Sequence, residues 1–321
     1  MDAGVLSERL RSVLAPVLGG DVTVGGLERL PGGASRETWV FDASRPGRET
    51  VKLVLRRDPE GAPASGLRLE AGLLEAAARE GVPVPKLVLC GDAGTGLGST
   101  FMVVEHTEGE TIPRRILRDE TLAAARAHLA EGCGEALAAI HRIPVASVPG
   151  LPSGDPLEQL RLLIDRLGEP HPAFEIAFRW LEHSRPPSGG EVVVHGDFRN
   201  GNLIVGAEGI RAVLDWELAH VGDPLEDLGW LCVKAWRFGS PLPVGGFGEV
   251  EQLTSAYERA GGLQVDHAAL RWWEVLGTLR WGVICIVQTL THVSGAVRSV
   301  ELAAIGRRVC EVEWDLLELL T

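Results

Sequence analysis

Asp197, Asn202 and Asp215 are the residues of this chain whose types and spacing are best suited to chemistry. They stand in His195-Gly196-Asp197-Phe198-Arg199-Asn200-Gly201-Asn202-Leu203-Ile204-Val205 and, shortly after, Ile210-Arg211-Ala212-Val213-Leu214-Asp215-Trp216-Glu217. Two carboxylates and a carboxamide offer hard oxygen ligands of the kind Mg²⁺ takes. Two short apolar runs, Asn202 to Val205 and Ile210 to Leu214, flank the turn Gly206-Ala207-Glu208-Gly209, so a small hairpin would carry all three residues toward one place. The chemistry that fits is phosphoryl transfer, which needs metal ions to neutralise phosphate oxygens and a group that orients or deprotonates the accepting hydroxyl. Asp197, with Arg199 as its one local counter-charge, suits the second task; Asn202 and Asp215 suit the first. Arg199 could steady either the phosphates or the Asp197 carboxylate.

The same stretch admits another reading. His195, Asp197, Asp215, His220 and Asp223 could hold two metal ions that activate water, as in a metal-dependent hydrolase. Against it, no histidine stands at close helical spacing from a second, and the glycine-rich loop upstream would have no task. His195 is instead expected to orient the loop backbone, with Asp227 on the following helix as an acceptor that caps the loop.

The elements that must position these residues begin at the N-terminus with a short helix, Val5 to Leu18. An extended run from Val22 then approaches Pro31-Gly32-Gly33-Ala34-Ser35-Arg36-Glu37-Thr38, and a second extended run begins near Thr38, which describes strand, loop, strand. Such a loop can set backbone N–H groups against phosphate oxygens, with the Ser35 hydroxyl as an added donor. A further strand, Thr50 to Arg57, places Val51, Leu53 and Leu55 on one face and ends in Arg56-Arg57. A cation there could hold the α- and β-phosphates of ATP. Leu67 to Arg79 has helical periodicity with Glu70 at the margin of its apolar stripe, where it could pair with Arg56. Gly81-Val82-Pro83-Val84-Pro85 ends that helix, and Lys86 to Cys90 and Ser99 to Val104 read as paired strands.

The polar run Glu105-His106-Thr107-Glu108-Gly109-Glu110 marks a domain boundary, giving residues 1–104 and 105–321. The second part is helical by pattern, with one buried face running from Leu122 to Ile140 and ending in His141, expected as a packed, hydrogen-bonded residue. Further helices are expected over Leu157 to Leu167, Phe174 to Leu181, Leu225 to Phe238, Val250 to Ala260, Ala268 to Leu290 and Val300 to Leu320. Trp230, Trp236, Trp272, Trp273 and Trp281 fall in this part, where some could line an apolar acceptor pocket and the rest fill the core.

Residues 1–104 hold 12 Lys/Arg against 13 Asp/Glu, and residues 105–321 hold 19 against 31, so the net charge of −13 lies almost wholly in the second part. Neither part supplies the basic stripe that nucleic acid requires. No membrane is called for, since charges break the apolar runs before spanning length and the first residues lack the pattern of a signal peptide. The five cysteines form no close pair, which fits a reduced, cytoplasmic chain.

Taken together, the chain resembles the aminoglycoside phosphotransferase/choline-kinase-like superfamily. His195-Gly196-Asp197-x-x-x-x-Asn202 matches its catalytic loop, with the Asp-to-Asn interval of protein kinases. Leu214-Asp215-Trp216-Glu217 stands where the metal-binding Asp belongs, and Gly222-Asp223-Pro224-x-x-Asp227-Leu228-Gly229 is the usual sequel. The resemblance implies an α+β, bilobal protein-kinase-like fold: a small β-rich, nucleotide-binding N-lobe and a larger, mostly helical C-lobe that carries catalysis and the acceptor. It implies ATP and Mg²⁺ as cofactors, Asp197 as catalytic base with Arg199 beside it, and Asn202 and Asp215 on the metal. Gly32, Gly33, Ala34, Ser35, Arg56 and Glu70 would serve the nucleotide. Many members carry lysine where Arg56 stands, and arginine's planar fork is not geometrically equivalent. The Val54-Leu55-Arg56-Arg57, Gly-Gly-Ala-Ser and Val82-Pro83-Val84-Pro85 segments most resemble the branch of the kinase-like domains of acyl-CoA dehydrogenase family members 10 and 11. The expected activity is therefore an ATP- and Mg²⁺-dependent transfer to a small-molecule hydroxyl, with a hydroxyacyl-CoA or other partly apolar alcohol as acceptor. An aminoglycoside or amino alcohol is the alternative acceptor, and a non-catalytic ATP-binding regulatory module the alternative role.

Overall fold

Leu6, Leu10 and Leu14 recur every fourth residue on helix α1 (Ala3–Leu18), and that stripe is fully buried. The computed structural model describes residues 2–30, 36–59 and 66–321 of the chain. The stripe packs with Phe41, Leu53, Leu55, Phe101 and Val103 of a five-stranded sheet, forming the core of the smaller of two units. That unit comprises Met1–Gly109, Ile143–Leu151 and Arg211–Glu217. Its strands are β1 (Thr23–Arg29), β2 (Glu37–Ser44), β3 (Val51–Arg57), β4 (Leu87–Gly91) and β5 (Phe101–Glu105), in the order β1-β2-β3-β5-β4. All neighbouring pairs are antiparallel.

Strand alternation separates the two arginines that end β3. Leu53, Leu55 and Arg57 share the core-facing side, and Arg57 is buried there with Nε donating to Glu37 Oε2 at 2.8 Å. Arg56 points to the opposite face. Helix α2 (Leu67–Arg79) follows, burying Glu70 together with Leu67, Ala71, Leu73, Leu74, Ala76 and Ala77. It stops at Glu80, before either proline of the Val-Pro-Val-Pro run, because Gly81 takes up φ +82.

The larger unit, Glu110–Arg142, Pro152–Ile210 and Leu218–Thr321, is mostly helical. Its helices are α3 (Pro113–Ile116), α4 (Ala123–Arg126), α5 (Leu129–His141), α6 (Pro156–Leu167), α7 (Pro172–His183), α8 (Leu225–Cys232), α9 (Val250–Arg259), α10 (His267–Val293), α11 (Val300–Ile305) and α12 (Val309–Leu320). Strand β6 (Val192–Val194) pairs antiparallel with β9 (His220–Gly222), and the catalytic-loop candidate leaves the end of β6. The strands β7 (Leu203–Gly206) and β8 (Gly209–Val213) lie on the two apolar runs read from the sequence.

Two helices are shorter than their apolar patterns suggest. The helix expected over Leu225 to Phe238 breaks at Val233, whose backbone is extended, and Arg237 turns back so that Nε and Nη2 both donate to Cys232 O at the helix end. The helix expected over Val300 to Leu320 is interrupted at Gly306, where any side chain would collide with Thr289 on α10. Among the described residues no helix is long and apolar enough to cross a membrane. The expected α+β, bilobal protein-kinase-like fold, with an N-terminal sheet unit and a larger helical unit, is the fold found.

Gly229 fixes how α8 seats on α10. A Cβ there would lie 2.6 Å from Trp273 Cβ and 2.9 Å from the Glu274 backbone nitrogen. Gly229→Ala is therefore expected to push the helices apart and cost about 1–3 kcal/mol, as overpacking does. Urea unfolding of both proteins measures it, and an unchanged midpoint would contradict the close packing.

Candidate active site

The loop His195 to Asn202 is held from below by one buried carboxylate. Asp227 accepts from the His195 backbone N–H at 2.8 Å and from the Gly196 N–H at 2.9 Å, and lies 3.2 Å from His141 Nε2. His141 Nδ1 in turn meets the Tyr257 hydroxyl at 2.8 Å, joining the end of α5 to α9. His141 is thus the packed, hydrogen-bonded helix-end residue expected. Gly196 takes φ +78, and a side chain there would run into Leu218 O. His195 is fully buried, and its Nδ1 accepts from the Asp197 N–H at 3.2 Å.

These contacts lift the Asp197 carboxylate onto a defined perch. Its Oδ1 accepts from Trp230 Nε1 at 2.9 Å and Arg199 Nε at 3.0 Å, and its Oδ2 from Asn202 Nδ2 at 2.6 Å. Asn202 Nδ2 also donates to Asp197 O at 2.9 Å, so the amide nitrogen faces the aspartate and its carbonyl oxygen remains to act as a ligand. The Arg199 guanidinium lies 4.7 Å from the ring centroid of Trp236. Asn200 is buried, with Nδ2 donating to Gly245 O at 2.7 Å.

In the smaller unit the structure brings Arg56, Glu70 and Asp215 together. One arm of the Arg56 fork pairs with Glu70 Oε1, and Nη2 donates to Asp215 Oδ1 at 3.0 Å. The other Glu70 oxygen, Oε2, accepts from Arg36 Nη1 at 2.6 Å, and the same Arg36 nitrogen lies 3.5 Å from Glu217 Oε2. Burial pushes the Glu70 carboxyl up from its usual range, against the pull of Arg56 and Arg36. Asp215 adopts φ 66, a left-handed conformation uncommon for a residue with a side chain. Gly32, Gly33, Ala34 and Ser35 lie outside the described residues.

Sequence reasoning gave no role to Arg36, which stands directly after the glycine-rich loop with nothing in its surroundings to mark it. It also missed the Trp230 bond to Asp197 and the Tyr257 bond to His141, both made across long chain separations. Of the five tryptophans, Trp272 and Trp273 are core residues, and the Trp272 Nε1 donates to Leu181 O at 2.9 Å. Trp230 and Trp236 are buried as well, and with Trp281 they form a second cluster whose rings meet at an angle, with centroid separations of 5.1 and 4.8 Å.

Residues 26–273 match the model of the phosphotransferase enzyme family known as APH. The chain belongs to that family. That family is one of phosphotransferase enzymes. Human acyl-CoA dehydrogenase family member 11 is 30% identical in an alignment 237 positions long that covers 65% of this chain and 30% of that protein. The chain thus spans under a third of that relative. A choline/ethanolamine kinase family protein from Mesorhizobium loti has a TM-score of 0.66 at 22% identity, over 98% of this chain and 95% of that one. The spectinomycin phosphotransferase APH(9)-Ia, solved with ADP and spectinomycin, has a TM-score of 0.66 at 13% identity, over 96% of this chain and 98% of that one. At these identities the last two likenesses are of fold.

Asp227 gives the larger unit a pH dependence. Burial alone would raise its pKa, but the hydrogen bonds and charges of His141 and His195 outweigh burial and hold the carboxyl below its usual range. A carboxyl lower in the folded than in the unfolded state adds stability above the unfolded value of about 4, and that stability drains away as pH falls toward the folded value. Asp227→Asn is expected to cost about 3–5 kcal/mol at pH 7, as breaking a buried charged pair does. The deficit should narrow below pH of about 4. Urea melts at pH 7 and pH 3 measure it, and a pH-independent deficit would contradict the linkage.

Proposed function

We propose that this phosphotransferase moves the γ-phosphoryl group of ATP to an alcohol, with Asp197 receiving the proton of the attacking hydroxyl. The Asp197 carboxylate, fixed by three donors on a loop whose backbone is itself tied to Asp227, carries this reading. Such a group is aimed before substrate arrives, which is what general-base assistance requires. Arg199 steadies the carboxylate. In the same reading residues 1–104 are the nucleotide-binding lobe and residues 105–321 the catalytic, acceptor-binding lobe. Backbone N–H groups of Gly32, Gly33, Ala34 and Ser35 receive phosphate oxygens, Arg56 meets the α- and β-phosphates, and Glu70 holds Arg56 in place.

The donor set suits Mg²⁺. Asn202 offers its carbonyl oxygen, and Asp215 the carboxylate oxygen that Arg56 does not engage. Mg²⁺ held by oxygens of this kind would neutralise charge on the phosphate oxygens. The free state of all five cysteines supports a cytoplasmic setting.

For the acceptor, the amino-alcohol or aminoglycoside class has the broader support. The net charge of −13 draws cations, and the solved structures of similar fold include a choline/ethanolamine kinase family protein and a spectinomycin phosphotransferase. A hydroxyacyl-CoA is the second reading. It is favoured by the 30% identity to acyl-CoA dehydrogenase family member 11.

Incubation with Mg²⁺–ATP and ethanolamine, spectinomycin or 3-hydroxybutyryl-CoA, read by product mass, is expected to yield a phosphorylated acceptor. Asp197→Asn should lower turnover at least about a hundredfold, within the range general-base catalysis supplies, while leaving Mg²⁺–ATP affinity intact; comparable turnover in the two proteins would refute the base. Arg56→Ala should weaken ATP binding about tenfold or more, and Arg56→Lys should recover part of the loss because it restores charge without the fork. Calorimetry gives both constants, and an unchanged Kd in Arg56→Ala would remove Arg56 from the phosphates.

A further inference from the structure

A carboxylate has room for about four hydrogen bonds, two on each oxygen. On Asp197, Trp230 Nε1 and Arg199 Nε fill Oδ1, whereas Oδ2 takes Asn202 Nδ2 and keeps one position. That position on Oδ2 is where an alcohol O–H can be received. We propose that Trp230 is a positioning residue for the transfer: its indole N–H fixes the rotation of the Asp197 carboxylate so that the open side of Oδ2 faces the acceptor hydroxyl. The inference rests on Asp197 being the base.

Trp230 is built for such a task in a way Arg199 is not. Its ring is buried on α8, and only two torsions place its N–H. Trp236 packs on one side at 5.1 Å between centroids. The Arg280 guanidinium lies 5.0 Å from the ring centroid and is itself anchored, with Nη1 3.0 Å from Glu226 Oε1. Glu226 Oε2 lies 3.0 Å from His220 Nε2. Arg199 has no comparable clamp, resting on Trp236 with part of its side chain in solvent.

The placement on α8 adds a second argument. Asp227 and Trp230 are three residues apart, so they project from the same side of one helix. Asp227 ties down the loop backbone at His195 and Gly196, and Trp230, one turn on, ties down the side chain that the loop presents. One rigid element therefore sets both the height of the base and its rotation. Gly229, between them, lets that element seat directly on the α10 backbone.

A structural role alone would require only that a buried indole N–H find some acceptor, as Trp272 does with Leu181 O. The two roles separate by experiment. Trp230→Phe and Trp272→Phe each delete one indole N–H and keep the ring, so both should lose a similar small amount of stability in urea. Only Trp230→Phe should lower kcat, by about tenfold, with acceptor KM and Mg²⁺–ATP Kd within about twofold of wild type. Turnover is read as ADP release from Mg²⁺–ATP with water as acceptor, and with whichever of ethanolamine, spectinomycin or 3-hydroxybutyryl-CoA yields product. Arg280→Met, which frees the ring but keeps the N–H, should lower kcat by a smaller factor. Unchanged kcat in Trp230→Phe overturns the inference. An active Asp197→Asn would instead overturn the base on which it rests. In ¹⁵N-tryptophan spectra, the indole N–H signal assigned to Trp230 should move upfield in Asp197→Ala while that of Trp272 stays. A Trp230 signal that does not move overturns the inference without any turnover.

Discussion

A buried carboxylate that accepts two successive backbone N–H groups is the constraint from which the larger unit's chemistry follows. Loop backbone is usually solvated, and its polar groups must be paired wherever it is buried. Asp227 pairs the N–H groups of His195 and Gly196, so the loop can enter the interior and leave it again in one fixed path. Taking a carboxylate out of water costs several kcal/mol unless its lone pairs are occupied. The second partner of Oδ2, His141, meets that need, and Tyr257 fixes which way the imidazole faces. Helices α5, α8 and α9 thereby converge on one side chain, and the Asp197 carboxylate inherits its position from all three.

The smaller unit solves a similar problem with opposite charges. Glu70 is buried on α2, where a lone carboxylate would be strongly disfavoured, and a guanidinium on each oxygen makes it tolerable. Arg56 spans Glu70 and Asp215 with two arms of a rigid fork, a bridge that a single ammonium could not hold in the same geometry. The arginine that departs from the family's usual lysine is thus matched to its surroundings. Asp215 meets that fork from a left-handed backbone conformation, a strain of the kind that persists where the surrounding structure over-determines it.

Much of this was legible in the sequence because it depends on local periodicity. The period of two in β3 put Val51, Leu53 and Leu55 on one face, and the period of 3.6 in Leu67 to Arg79 put Glu70 at the margin of the buried stripe; that alternation also sends Arg56 and Arg57 to opposite faces emerged with the structure. The catalytic-loop and sequel motifs could be read because each is a short run with fixed internal spacing. What escaped was set by packing between distant segments. Arg36 is 34 residues from Glu70, and His141 is 116 from Tyr257, separations at which no spacing rule operates. The breaks at Val233 and Gly306 were hidden for the same reason, since apolar periodicity continues across both. At Val233 the helix end is closed by Arg237 folding back, and at Gly306 the chain passes through a 3-10 turn where it packs too closely on Thr289 to carry a side chain.

The tryptophans show the same limit in a single residue type. Trp230 and Trp272 lie in helices of similar apolar pattern, both are buried, and each indole N–H makes one bond of 2.9 Å. Trp272 meets a backbone carbonyl, a group present at every residue, and so its bond ties one helix to another and nothing more. Trp230 meets a side-chain carboxyl oxygen, the class of acceptor that makes the stronger, charge-assisted hydrogen bonds. It is also a bond whose geometry restricts what the other carboxylate oxygen can do. A residue that reads as core filling can therefore orient a side chain of the loop, according to whether its one polar atom ends on the backbone scaffold or on a carboxylate.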